Sequence, residues 1–305
     1  MSSNLVEMSP NELCEVTKKP TLVAARPTIT VREALRLMAI HNFLSLPIYS
    51  HNSDNIVTIV NIVDILNYII KEAVADEKLP SSINSEKARN LDSQIEAVMT
   101  LDADQESYRI FITDANESIK DTLKAFSKGI HRSLVIDYNN KIPPYILTQS
   151  DIIKYVQAHP ECLPTIDFKS SLRSLGLFKE RKLITGYDYE TALNVYRRMA
   201  EYRLTGIAII NSEQELVGNL SASDLRGLSY ESIDSLVLPV LKFLGTLSNF
   251  ENLLNPLAVT PESSLEEVLN IITVNRIHRV WIIDDKRNVK DVITLTNLTT
   301  FFIQQ

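Results

Sequence analysis

Glycine is scarce in this chain: seven residues among 305, at positions 129, 176, 186, 206, 218, 227 and 245. No two stand close enough to build a GxGxxG turn or a P-loop, so a glycine-rich phosphate cradle is excluded. GxSxG, HExxH and the protein-kinase signature strings are absent as well. The two cysteines, Cys14 and Cys162, form no CxxC pair. That disfavours a zinc site or a disulfide framework and fits a reduced, intracellular compartment. The five histidines, His41, His51, His131, His159 and His278, show no metal-ligand spacing.

Long apolar runs are missing too. The longest, around 59–70 and 236–241, are short or broken by Asn, Asp or Pro, so no membrane span is expected. Residues 1–10 carry no basic stretch followed by an apolar run, so no signal peptide is expected. A positive surplus is also lacking: 31 Lys and Arg face 38 Asp and Glu, a net charge of −7 at pH 7. That argues against nucleic acid as a partner and leaves room for a small basic pocket. Hydrophobic residues make up 45% and charged residues 23%. These are ordinary values for a globular chain with a sizeable core, as one large domain or two. A protein of the cytoplasm, the nucleus or both is expected.

What is present is a repeat. A short apolar segment, an amphipathic helix, two apolar strands and a closing apolar helix recur four times. The first copy reads 22–25, helix 31–42, strands 45–49 and 56–60, helix 63–70. The second reads 110–113, 118–128, 132–137, 144–147 and 152–157. The third reads 183–185, 189–202, 206–210, 216–220 and 225–228. The fourth reads 256–259, 265–275, 280–284, 289–293 and 298–303. Thr30 with Glu33, and Ser264 with Glu267, have the spacing of capping boxes. The residue that opens the first long strand is Leu44, His131, Thr205 or His278, and the closing acid or amide is Asp64, Asp151, Asp224 or Asn297. The separations are 20, 20, 19 and 19 residues. Coincidence does not produce that four times.

The strings GIHRSLVID…YILTQSDII and RIHRVWIIDD…VITLTNL resemble the CBS domain. The quartet, over about residues 18 to 305, resembles the γ subunit of AMP-activated protein kinase and its yeast and plant relatives. The resemblance implies an α/β (α+β) fold of four β-α-β-β-α repeats, at 18–75, 98–158, 172–232 and 248–305. It further implies two Bateman modules in a pseudo-symmetric disk around a central channel. The segment 159–181, with Pro160 and Pro164, reads as the boundary between modules, and 75–97 as a polar surface crossover.

Each second strand ends in a small polar residue followed three positions later by an acid or amide. The pairs are Asn61/Asp64, Thr148/Asp151, Ser221/Asp224 and Thr294/Asn297. Two readings stay open. The pair caps the following helix, or its carboxylate accepts the hydroxyls of a ribose at a helix N-terminus. The γ-subunit resemblance favours ribose for at least one copy. Asn297 carries no charge, so the fourth grip is expected to be weak or empty. Asp151 departs the other way, because the second copy of kinase γ subunits often lacks this acid. His131, Arg132, His278 and Arg279 are the candidate phosphate ligands, in positions that face the channel in the resembled fold; Arg binds phosphate with its planar fork. Against that stands a plain surface or packing role. Leu44 and Thr205 fill the same place in the other copies, with Arg203, Lys154 and Arg226 as possible helpers.

The resemblance implies a regulatory, energy-sensing subunit rather than an enzyme, with no cofactor and AMP, ADP or ATP as regulatory ligand. Its partners would be a kinase catalytic subunit and a β-type scaffold subunit. The alternative is an interaction scaffold with degenerate pockets that acts on a kinase or phosphatase independently of nucleotide.

Overall fold

This computed structural model describes residues 4–17, 19–73, 91–100, 110–139, 141–227, 233–247 and 256–304. Most of the crossover expected at 75–97 lies outside them. Helix α1 (Pro10–Thr17) precedes copy one. Copy one runs α2 (Val31–Ile40), β1 (Ser45–Tyr49), β2 (Ile56–Asn61) and α3 (Ile62–Ala73), followed by a short α4 (Ile95–Thr100). Copy two is β3 (Ile112–Asp114), α5 (Lys120–Ser127), β4 (Arg132–Ile136), β5 (Tyr145–Thr148) and α6 (Gln149–Ala158). Copy three is β6 (Thr185–Tyr187), α7 (Ala192–Glu201), β7 (Gly206–Ile210) and β8 (Leu216–Ser221), with α8 (Val240–Gly245) after it. Where a closing helix over 225–228 is expected, copy three has a 3-10 helix, Ala222–Gly227. Copy four is β9 (Ala258–Val259), α9 (Leu265–Asn275), β10 (Arg279–Ile283), β11 (Val289–Thr294) and α10 (Leu295–Ile303).

The local chemistry repeats with the elements. In each copy the two long strands pair antiparallel. The preceding short segment lies parallel to the first of them, as Thr113↔Val135, Gly186↔Ile209, Val259↔Ile282 and, in copy one, the single bridge Ala25↔Ile48. Parallel neighbours need a crossover, and the amphipathic helix supplies it. Its start is capped: Thr30 and Glu33 exchange both bonds of a capping box, and Ser264 Oγ accepts from Glu267 N at 3.1 Å. The spacing of 19 to 20 residues has a physical basis. The first N–H after the second strand donates to the carbonyl of the strand-opening residue in every copy: Ile62 to Leu44 (2.9 Å), Gln149 to His131 (3.2 Å), Ala222 to Thr205 (3.1 Å) and Leu295 to His278 (3.2 Å).

Two residues before that strand-opening position, the chain leaves the first helix through the left-handed region. The residues are Asn42 (φ 55°), Gly129 (φ 100°), Arg203 (φ 53°) and Arg276 (φ 53°). Gly and Asn occupy this conformation at little cost, whereas a bulky side chain strains it. Arg276→Gly is therefore expected to stabilise the protein by about 0.5–1 kcal/mol, the relief of strain exceeding the extra freedom of the unfolded chain. Urea midpoints at unchanged slope would measure it.

The copies pack in alternation. One compact unit holds residues 23–109 and 184–256, copies one and three; the other holds 1–22, 110–183 and 257–305, copies two and four. In the odd unit α3 packs on α7 and α2 on the 3-10 helix of copy three. Leu35, Met38, Leu66, Leu193, Tyr196 and Phe243 are buried in its core. In the even unit α10 packs on α5 and α6, and α9 on α6, around Phe126, Ile152, Val156, Leu269, Leu298 and Phe302. Buried Gln149 ties these two copies: its Nε2 donates to Phe126 O (2.9 Å) and to Thr296 Oγ1 (3.0 Å).

The segment 159–181, where a module boundary is expected, is firmly packed. That segment belongs wholly to the even unit. Cys162, Leu163, Ile166 and Leu172 are buried in its core, and the backbone binds copy four through Leu172 N to Ser263 O (2.9 Å) and Glu266 N to Phe168 O (2.8 Å). The prolines read as a linker, but the apolar residues between them and beyond need cover. Further on, Lys179 N and Arg181 Nε donate to the Asp291 carboxylate at 2.9 and 2.5 Å, and Arg181 N donates to Lys290 O at 3.2 Å. The chain is thus fastened along β11.

Candidate ligand site

All four strand-to-helix turns share one bond: the acid or amide accepts from the backbone N–H of the residue three places before it. In copy one Asp64 Oδ2 accepts from Asn61 N (2.8 Å), while Asn61 Oδ1 accepts from Val63 N (2.8 Å) and Asp64 N (3.1 Å). In copy two Asp151 Oδ2 accepts from Thr148 N (2.7 Å) and Thr148 Oγ1 (2.6 Å). In copy three Asp224 Oδ2 accepts from Ser221 N (2.8 Å), and the Ser221 hydroxyl meets Ser223 Oγ at 3.0 Å. In copy four Asn297 Oδ1 accepts from Thr294 N (2.9 Å) and Thr294 Oγ1 (2.7 Å). Capping is therefore the geometry of every copy. A carboxylate has a second oxygen beyond the one used in the cap; Asn297 spends its single acceptor oxygen there. Tyr196, buried in the odd unit, donates its hydroxyl to Ser221 O at 3.2 Å. Burial, reinforced by the Asp224 charge, pushes its phenol pKa up.

Strand register places the basic residues. Arg132 lies opposite Thr148, and Arg279 opposite Thr294, in the antiparallel pairs. Residues directly opposite project on one face, so each guanidinium stem shares a face with the hydroxyl of its own copy. Ser45 and Gly206 occupy these positions opposite Asn61 and Ser221. Alternation then gathers the cations, because both His-Arg copies fall in the even unit. Burial first, then the charges of Arg132 and Arg279, push the His131 pKa down to about 4. His131 is an exposed residue. The charges of Arg132, from its own copy, and of Arg279, from copy four, both disfavour protonation of His131.

The odd unit keeps its carboxylates, Asp64 and Asp224, without a cation at 44 or 205. Among the proposed helpers, Arg226 donates from Nε to Ser223 O (3.1 Å) and from Nη1 to Asn42 Oδ1, linking copies three and one. Arg203 and Lys154 are exposed. One partner escaped the sequence reading entirely: Lys19 pairs with Asp151. The two lie 132 residues apart, and no motif joins them. No helix among the described residues is long and apolar enough to cross a membrane.

The CBS domain family matches residues 14–71, 106–158 and 253–303, more than half of the chain. Protein SDS23 of Eremothecium gossypii is 23% identical over 89% of this chain, which spans 59% of that relative's length. In Arabidopsis thaliana, PV42a, named as a SNF1-related protein kinase regulatory subunit gamma-like protein, is 25% identical over 79% of this chain and 73% of its own. Protein MJ1225 of Methanocaldococcus jannaschii, described as an archaeal homologue of γ-AMPK, superposes with a TM-score of 0.69 at 18% identity, covering 93% of this chain and 96% of that one. With four copies of one βαββ unit, the same cap bond in each and a family match over three of them, the chain belongs to the CBS domain family.

Proposed function

We propose that this chain is an adenine-nucleotide-binding regulatory protein that reports ligand occupancy to a protein kinase complex of the AMP-activated type. One observation carries the phosphate half of the reading: in a chain of net charge −7, both His-Arg copies fall in one unit, and each arginine lies opposite the hydroxyl of its own copy, Arg132 to Thr148 and Arg279 to Thr294. Such a focus of positive charge suits a phosphate. The ribose acceptors are read copy by copy: Asp64 and Asp224 for ligands held within the odd unit, and Thr148, Asp151 and Thr294 for those held within the even unit. The kinship with PV42a supports a kinase complex as the partner. The ligand acts by linkage: it stabilises one arrangement of the protein, and the partner prefers that arrangement. In this reading no residue performs bond chemistry.

Calorimetry with AMP tests it. AMP should bind, and Asp64→Ala or Asp224→Ala should weaken binding at its own copy by ten- to a hundredfold, the loss of charge-assisted bonds to a diol. No uptake of AMP, ADP or ATP at millimolar concentration would refute the reading. The competing scaffold role draws on Asn297, whose only acceptor oxygen is consumed by the cap. Partner capture that is indifferent to AMP would favour it.

A further inference from the structure

The sequence before copy one is not a passive leader. Leu5, Met8 and Leu13 are buried in the core of the even unit. The segment is stitched to copy two by Ser118 Oγ to Val6 O (2.6 Å), Ile119 N to Met8 O (2.7 Å) and Asn11 N to Ala115 O (3.3 Å). Helix α1 packs on α6, the helix that begins at the Thr148–Asp151 cap. At the end of this strap Lys19 reaches the Asp151 carboxylate. Their side chains are only 14% and 9% exposed, so the contact is shielded from water and salt.

We propose that Lys19 is a built-in occupant of copy two: its ammonium holds the carboxylate that would otherwise accept a ribose diol. The inference rests on the reading of these acids as ribose acceptors and says which copy is closed. Asp151 Oδ2 already receives Thr148 N and Thr148 Oγ1, and Lys19 supplies a third donor, one that carries charge. A ribose hydroxyl is a neutral donor. It replaces an ammonium at a shielded carboxylate only by leaving that carboxylate without its counter-charge. All three bonds fall on the cap oxygen, so in this proposal Lys19 closes copy two by neutralising the carboxylate at close range rather than by using its second oxygen.

The test is an AMP titration by calorimetry on the full chain, comparing wild type, Lys19→Met, Lys19→Arg and the double variant Lys19→Met with Asp151→Asn. Lys19→Gln replaces Lys19→Met should the methionine variant fold poorly. Lys19→Met should gain one AMP-binding event, or bind AMP at copy two about tenfold tighter, as expected for a charge pair no longer competing. Lys19→Arg should behave as wild type, and the added Asp151→Asn should abolish the gain. A Lys19→Met titration identical to wild type, with Asp64→Ala still weakening AMP, would overturn the plug and leave the ribose reading intact. Absence of AMP binding in every protein would sink both.

Discussion

Arg181→Ala is expected to destabilise the protein by about 3 kcal/mol, more than removal of its buried partner by Asp291→Ala, at about 2 kcal/mol. Burial of the two residues alone would suggest the reverse. The Asp291 side chain is 2% exposed, and that of Arg181 is 48% exposed. What decides the order is the group left behind. Asp291→Ala leaves a half-exposed guanidinium that water re-solvates and a Lys179 N–H on an exposed residue. Arg181→Ala leaves a carboxylate inside, still accepting from Lys179 N and Val292 N at 2.9 and 2.8 Å, but without a counter-charge. An uncompensated buried charge is the more costly remainder. Urea denaturation of both single variants and the double variant would measure it. If the double variant is more stable than Arg181→Ala, the stranded carboxylate is the cause; equal losses in the two single variants would refute the ordering.

The second large effect is expected from Phe302→Ala. Phe302 is 1% exposed in the core of the even unit. Truncating a buried phenylalanine costs about 3–5 kcal/mol in lost transfer energy and cavity. The chain has one tryptophan, Trp281, buried in β10 of copy four. Its fluorescence therefore reports the even unit, whereas circular dichroism reports both. Phe302→Ala should bring the tryptophan transition to markedly lower urea and split the dichroism curve. Phe243→Ala, in the odd unit, should leave the tryptophan transition near its wild-type midpoint. Coincident shifts in both probes for both variants would mean that the units unfold together.

Sequence reasoning reached the repeat because it is written in spacing. The separation between His131 and Asp151 is long enough for a hairpin plus one helical turn, and the Gln149 N to His131 O bond closes that loop, as its counterparts do in the other copies. The acid three places after Ser, Thr or Asn is a local pattern, and its cap is local geometry. What escaped is what spacing does not encode. The apolar faces of α3 and α7, or of α6 and α10, carry no address, so which of them pack together within a unit was not legible in the sequence. Pro160 and Pro164 looked like a linker because turn residues speak louder than Leu163, Ile166 and Leu172, which lie in the core that copies two and four share. The closing turn of copy three shortens to a 3-10 helix at Ala222–Gly227, although Asp224 caps it as its counterparts do. Lys19 was invisible because its partner is chosen by how the even unit packs.

Alternate pairing also sets a timetable for the growing chain on the ribosome. Copy one emerges first but gains its partner only when copy three is made, and the odd unit is complete near residue 256. Copy two, with the apolar faces of α5 and α6, waits until the last residues of copy four appear. Long-range closure of this kind is slow, and an uncovered apolar face is prone to aggregate while it waits. A nascent chain stalled after residue 183 would hold half of each core and neither one whole. Such chains should engage holding chaperones, and two complementary fragments cut at that point should fold only when expressed together.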